Sequence, residues 1–573
     1  MYSVLLNRFL NVKAENGLVR ILKKEGIEWV STYPSTVINN ACGEEGIKNL
    51  MMRTDRYAIA VADGFSRCSD GRRIGVCSVQ GGMNAVGAYL GYGALVQAFE
   101  DSTPMLCVTD GISPAIAGTT RSDLTQMFSS VTKWTGYVNK PERVPEFMGR
   151  AFTYMRSGRP GPVLIQLPQK LGEFDEEQFQ YEPIKGWRQE GDPRDVEMAV
   201  RALLAVRKPV IYAGQGVFYA DACSELALFA ELVQVPVMTT LKGKSAFPED
   251  HPLSLGVTGG TVEKFLQSSD LIFAIGCSLS PGRRYGGFKH QIPGTMRSDL
   301  SPELRSGKKI IQCTNDPMDI NRYYHIDHAV VGDAKLVLGQ LIAEANKHTS
   351  SQARVRKELL MEIETAREAD RQKYLQMMTS DEKPINPYRV CRDLMDTIDR
   401  RNSCVTHESG SPREQLAMVY KSLVPHGFIG WGTISPLGFG LAAAIGAKLA
   451  FPNRQVVNVT GDAGISFELG DFEPLVREKI AITTVHINNS GFSGYAPGPW
   501  GPGVSPYTAR VSPSTVQNYA KMVEAMGMQA ERVEVPDEVS PALKRALQKN
   551  SAGHPAFVEV ICGDQPLRGW LVQ

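Results

Sequence analysis

Short apolar runs alternate with amphipathic helical stretches along almost the whole chain, and this alternation limits the fold more than any other feature. RIGVCSV (73–79), MLCVTD (105–110), PVLIQL (162–167), PVIYAG (209–214), LIFAIG (271–276), KIIQCT (309–314), QVVNVT (455–460) and AITTVHIN (481–488) are short, largely apolar runs. Strands covered on both faces read this way, as in parallel sheets flanked by helices. Between them lie helical stretches such as DVEMAVRALLAV (195–206) and LVLGQLIAEANKH (336–348). The expectation is an α/β protein built from doubly wound parallel sheets. Two polar interruptions divide it, FQYEPIKGWRQEGDPRD (179–195) and a charged helical stretch ending in TSDEKPINP (379–387). We therefore expect an N-terminal domain (1–185), a central α/β domain (190–345), a charged helical linker (346–383) whose charges face solvent, and a C-terminal domain (384–573).

Lys+Arg (62) almost balances Asp+Glu (61), so no global field draws the chain to a polyanion, and nucleic acid is not an expected partner. No run of about 18 apolar residues could span a membrane. The first residues, including VLLNRFL (4–10), lack the order of a secretory signal and read as a packing arm. Ten cysteines stand singly, with no CxxC pair, which argues against zinc and against a disulfide framework. Reduced, buried thiols in a cytoplasmic protein are expected. Glycine (54) runs above average usage, a mark of tight turns or close backbone–ligand approach.

The most specific signal lies in QVVNVTGDAGISFELGDFEPLVREKIAITTVHINNSGFSG (455–494). One strand runs into Gly461-Asp462-Ala463-Gly464, and a second ends at Asn488-Asn489-Ser490-Gly491. In a doubly wound sheet both strand ends open on the ligand-binding edge. Asp462 and Asn489 should therefore meet, offering hard oxygen ligands that suit Mg²⁺ beside two phosphate oxygens. The glycines would let the backbone approach a diphosphate, and the helix expected after Gly464 would present N–H groups to it.

This stretch resembles the thiamine-diphosphate motif that opens with Gly-Asp and closes with Asn-Asn, and the 27 residues from Asp462 to Asn489 match its spacing. The resemblance gives Gly491 the backbone-carbonyl ligand position. It extends to Tyr33-Pro34-Ser35, Ala62-Asp63-Gly64-Phe65-Ser66-Arg67, Asp101-Ser102-Thr103-Pro104, the SVTKW stretch (130–134), the SGRPGPVL stretch (157–164), Pro387 and Gly438-Phe439-Gly440-Leu441. These are similar to the catalytic subunit of acetolactate synthase. The resemblance implies a homodimer or homotetramer with active sites between subunits, acting on a small 2-oxo acid or related carbonyl compound. It implies bound thiamine diphosphate, which supplies a carbon nucleophile and an electron sink. The reaction would be decarboxylation with carboligation. The alternatives are a decarboxylase or diketone C–C hydrolase without ligation, and a catalytically impaired homologue.

By the same resemblance, Gly410 and Ser411 hold diphosphate, and Leu437 buttresses the bent cofactor or is ordinary core. The Ser435 carbonyl receives the cofactor's amino group, and His407 is structural. The family's pyrimidine-binding glutamate falls at Asp55, which is one carbon–carbon bond shorter, roughly 1.5 Å. Asp55 is the expected catalytic residue; the competing reading is a surface acid paired between Arg53 and Arg56. Gln80, Gly81, Arg121 and Trp500 are the substrate-pocket candidates. The segment Gly81 to Asp101 is longer than the family's by about four residues, roughly a helical turn. Arg121 reads either as a grip for an acidic substrate group or as a surface arginine. Trp500 lies either on a loop that closes over substrate or in an ordinary Gly/Pro loop. Acetolactate synthases use the central domain for FAD; Tyr212-Ala213-Gly214-Gln215-Gly216 follows a strand here, but other landmarks are altered, and FAD stays open.

Overall fold

The structure is a computed structural model that describes residues 11–82, 86–113, 123–280, 308–348, 356–430, 434, 436–491 and 517–563. The N-terminal arm, Arg121, Ser435 and Trp500 lie outside the described residues. The chain divides into two compact units, residues 1–187 with 445–450, and residues 188–444 with 451–573.

The first unit holds β1 (Asn11–Lys13), β2 (Trp29–Thr32), β3 (Lys48–Met51), β4 (Gly75–Val79), β5 (Met105–Gly111), β6 (Trp134–Tyr137), β7 (Val163–Pro168) and β8 (Glu173–Asp175). Six of these form a parallel sheet in the order β3-β2-β4-β5-β7-β6. The strand order reverses between β2 and β4, which makes that crevice the switch point where ligands bind in such sheets. β1 and β8 pair antiparallel as a separate ribbon that the sequence pattern did not reveal. Helix α1 (Asp55–Arg67) follows β3, with the Thr54 hydroxyl capping the Tyr57 N–H.

The second unit carries two more parallel sheets. The central sheet uses β9 (Pro209–Ala213), β10 (Val237–Thr239), β11 (Ser254–Gly256), β12 (Leu271–Ile275), β13 (Lys309–Thr314) and β14 (His328–Val331), in the order β11-β10-β9-β12-β13-β14. The last sheet uses β15 (Ser403–His407), β16 (Phe428–Ile429), β17 (Gln455–Gly461), β18 (Thr483–Asn488), β19 (Gln529–Val533) and β20 (Ala556–Ile561), in the order β16-β15-β17-β18-β20-β19. The doubly wound α/β class expected from the apolar runs is the one observed, and each of those runs contains a strand.

The charged stretch forms helix α2 (Lys357–Met378). Most of its charges are exposed, as expected, but two are not spent on solvent. The Asp370 carboxylate accepts from the N–H groups of Gly260 (3.0 Å) and Thr261 (2.8 Å) and from the Thr261 hydroxyl (2.7 Å). It thereby caps the central-sheet helix Gly260–Ser268. Arg367 donates to the carbonyls of Glu249 and His251, both at 3.1 Å.

Candidate functional site

The last sheet switches direction between β15 and β17, which are paired so that His407 faces Val459. β17 runs on in parallel with β18 to the Gly461–Ile487 pair. Helix α4 (Asp462–Glu468) begins at the next residue, with Gly461 extended as its N-cap; here α3 denotes Ser411–Val419. The helix thus starts two residues before Gly464, not after it: an acid at the first helical position suits the helix dipole, and glycine inside the turn does not break it. The Asn489 N–H donates to Asp462 Oδ2 at 3.0 Å, so the two expected ligand residues do meet at the strand ends.

Gly410 precedes α3 with φ +90, a left-handed conformation, and a Cβ there would meet nothing within 4 Å. Glycine is required at that position by the backbone angle rather than by crowding. The loop it begins brings Pro412 against Gly461, where a Cβ would sit 3.3 Å from the proline ring. Gly410, Ser411 and Gly461 to Gly464 therefore share one edge of the sheet with Asn489 and Gly491. Leu437 is half-buried and leads into Gly438, itself at φ +90.

Three side chains at this edge escaped the sequence reading. His486 is fully buried on β18, with Nε2 3.5 Å from Asp462 Oδ1 and its ring edge-on to Tyr519 at 4.8 Å. Glu408 and Glu468 are also fully buried. A Cβ on Gly464 would lie 2.0 Å from Glu408 Cγ, and one on Gly440 would lie 2.7 Å from Asn458 Oδ1. These two glycines make room for neighbouring side chains in the chain itself. His407 is buried and stacked on Phe428 at 5.2 Å, a packing position.

In the first unit, Asp55 opens α1 and is buried, 4% exposed, which rules out the surface reading. Its Oδ1 accepts the Gln80 N–H at 2.9 Å. A Cβ on Gly87 would sit 2.2 Å from the same oxygen, so the backbone of the lengthened segment lies directly on the shorter acid. The next amide, Gly81 N–H, donates to Asp110 Oδ2 at 3.2 Å. Gln80 and Gly81, expected near substrate, therefore form a turn at the end of β4, held by the Asp55 carboxyl at the start of α1 and the Asp110 carboxyl on β5. Burial pushes both Asp55 and Asp110 above the usual carboxylate range. Asp110 gave no sequence signal, since an Asp ending an apolar run reads as a loop residue.

The central sheet reverses between β9 and β12, and the Gly214-Gln215-Gly216 loop lies there. A Cβ on Gly214 would be 2.3 Å from the Gly276 carbonyl, and one on Gly216 would be 2.8 Å from Gly276 Cα. The Gly216 N–H donates to that carbonyl at 2.9 Å. Loop against loop accounts for these glycines.

The donor set fits a hard divalent cation carrying a diphosphate. Asp462, Asn489 and Gly491 carry a carboxylate, an amide and a carbonyl oxygen near the ends of β17 and β18, and all three are oxygen chemistries that Mg²⁺ accepts. Among the described residues no cluster of three or more His, Cys, Asp or Glu side chains suits a metal, and this set contains only one carboxylate. The ten cysteines are free thiols, and nine of them are buried.

Three six-stranded parallel sheets, each with a reversal of strand order inside it, define a doubly wound α/β protein. Three family models match: the N-terminal TPP binding domain of thiamine pyrophosphate enzymes over residues 12–133, the central domain over 196–341 and the C-terminal TPP binding domain over 408–560. A probable acetolactate synthase large subunit of Methanocaldococcus jannaschii is 30% identical, over 96% of this chain and 92% of its own. The acetolactate synthase large subunit of Buchnera aphidicola subsp. Schizaphis graminum is 28% identical over 96% and 94%. A glyoxylate carboligase of Escherichia coli O157:H7 is 29% identical over 96% and 93%. The chain belongs to the thiamine pyrophosphate enzyme family, on the acetolactate-synthase-like side.

Proposed function

We propose that this chain is a Mg²⁺- and thiamine-diphosphate-dependent carboligase, which decarboxylates a 2-oxo acid and joins the remaining acyl unit to a second carbonyl compound. The observation that carries the reading is the Asn489–Asp462 hydrogen bond at the ends of β17 and β18. Asp462, Asn489 and Gly491 would hold the metal, while Gly410, Ser411 and Gly461 to Gly464 would line the diphosphate. When bound, thiamine diphosphate supplies the carbon nucleophile and the electron sink. Asp55, buried and raised in pKa, would hold a proton at the pyrimidine ring. Its short side chain is offset by the close approach of the Gly87 backbone, which fixes the carboxyl from one side. The Gln80–Gly81 turn would border the substrate. The names of the relatives, acetolactate synthase and glyoxylate carboligase, favour ligation over simple decarboxylation. The reading also includes an oligomer with active sites between subunits and a cytoplasmic location. It leaves FAD out, since packing takes up the central glycines; a flavin absorbance band in the purified protein would restore it.

The test is product analysis with added thiamine diphosphate and Mg²⁺, offering pyruvate or glyoxylate with and without a second carbonyl acceptor. A hydroxyketone product bearing both carbon units is expected. Carbon dioxide with only a free aldehyde would replace ligation with plain decarboxylation, and turnover independent of thiamine diphosphate would end the reading.

A further inference from the structure

Glu408 and Glu468 have no role in the ligand set above, yet both are fully buried at the heart of it. Glu408 leaves the end of β15, and Glu468 closes α4. Glu408 Oε2 accepts the N–H groups of Gly438 (2.9 Å) and Gly440 (3.0 Å), and Oε1 accepts that of Ser409 (2.7 Å). Glu468 Oε1 accepts the Leu441 N–H at 3.1 Å, and Asn458 Nδ2 lies 3.3 Å from each of its oxygens. The Thr460 hydroxyl bonds it as well, and the charge of the neighbouring Glu408 carboxylate opposes its ionisation. Among the described residues neither is paired with a lysine or arginine. His407 is the neighbouring titratable group on β15, with Nδ1 3.2 Å from the Glu408 carbonyl.

Two neighbouring carboxyls shut away from water, with no lysine or arginine among the described residues paired to either, do not both ionise. We propose that Glu408 and Glu468 share a single proton and act as a positioning pair for the cofactor-binding loops. Glu468 is the donor, and Glu408 is the carboxylate that gathers three backbone N–H groups. Those groups come from the start of the Gly410–Ser411 loop and from the turn after Leu437, so one side chain sets the distance between two segments assigned to the cofactor. Gly464 contributes by leaving room for the Glu408 side chain. Burial pushes both carboxyls up, Glu468 well above the usual range, in keeping with the proton residing there. The proposal rests on the cofactor reading of the preceding section.

Two variants of the full-length protein test it. Glu468→Gln keeps the shape and a donor but carries no titratable proton. Its loss of affinity for thiamine diphosphate with Mg²⁺ in calorimetric titration is expected to be smaller than that of Glu408→Gln. At neutral pH its infrared difference spectrum against the wild type should lose one protonated-carboxyl C=O band. Glu408→Gln cannot serve three N–H donors, and its affinity should fall at least about tenfold, the range seen when a partner that orients ligands is removed. Loss of an ionised-carboxylate band instead in Glu468→Gln, or wild-type affinity in Glu408→Gln, overturns the pair. Should Glu408→Gln not fold, the infrared comparison still decides the question. If the wild type itself binds no thiamine diphosphate, the cofactor reading fails, while the infrared result stands on its own for the shared proton.

Discussion

Asn489 donates its backbone N–H to the Asp462 carboxylate at 3.0 Å, across 27 residues of chain. This bond spends one lone pair of Asp462 on holding the second strand end against the start of α4. Asp462→Ala should therefore remove a ligand and loosen the Asn489 turn together. Calorimetric titration should show metal-dependent thiamine diphosphate affinity reduced by more than about 100-fold, since outer partners of metal ligands alone are worth roughly 10–100-fold. Undiminished affinity would remove Asp462 from the metal site.

Asp55 makes a prediction with opposite signs in two measurements. Burial holds its folded-state pKa above the unfolded value, so the stability of the wild type is fully present below the ordinary aspartate pKa. It is lost as pH rises through the raised one, because the unfolded chain ionises more readily than the folded. Asp55→Asn removes that loss and should gain stability over the wild type in urea unfolding as pH rises above the ordinary aspartate pKa of about 4. The same variant should slow hydrogen–deuterium exchange at C2 of bound cofactor by on the order of 100-fold. An exchange rate equal to the wild type would dismiss Asp55 as the pyrimidine partner.

Gly87→Ala should imitate a misplaced acid. The new methyl would fall 2.2 Å from Asp55 Oδ1, so the carboxyl must move. A displacement on the order of 1 Å at a positioned group costs roughly 100-fold in rate. C2 exchange should drop by about that factor with diphosphate affinity unchanged, because the diphosphate residues lie elsewhere in the chain. A parallel loss of affinity would show that the change spreads beyond Asp55.

Arg67 sits between two buried acids. It is bonded to Asp63 at 2.7 Å and to Asp101 at 2.9 Å, and the side chains of all three are at most 2% exposed. Arg67→Met would remove the cation between both carboxylates and should cost about 3–5 kcal/mol in chemical denaturation. A loss under about 1 kcal/mol, the worth of an exposed pair, would mean that water reaches the acids.

Much of this architecture could be read in the sequence because parallel strands must be apolar on both faces, so QVVNVT and AITTVHIN announce themselves. Once those strands are fixed, the meeting of Asp462 and Asn489 follows from chain direction alone. Glu408, Glu468 and Asp110 could not be found that way. A charged residue after a strand looks like surface, and only the backbone N–H groups that surround it in three dimensions explain its burial. The glycines misled for a related reason: Gly440, Gly464 and Gly214 do mark close approach, but the sequence does not say to what. The antiparallel ribbon of β1 and β8 was invisible because three residues carry no period.

The clasp of Asp370 and Arg367 also bears on how the second unit behaves under load. A stretch that separates two domains in the sequence works here as a splint along the central one. It caps one helix and grips the turn before another strand. Glu249, whose carbonyl it holds, itself accepts the Ser422 N–H at 2.7 Å from the segment beyond β15. Two sheets joined in this way have no slack hinge between them, and pulling or heating should find one cooperative block where the amino-acid order suggests two.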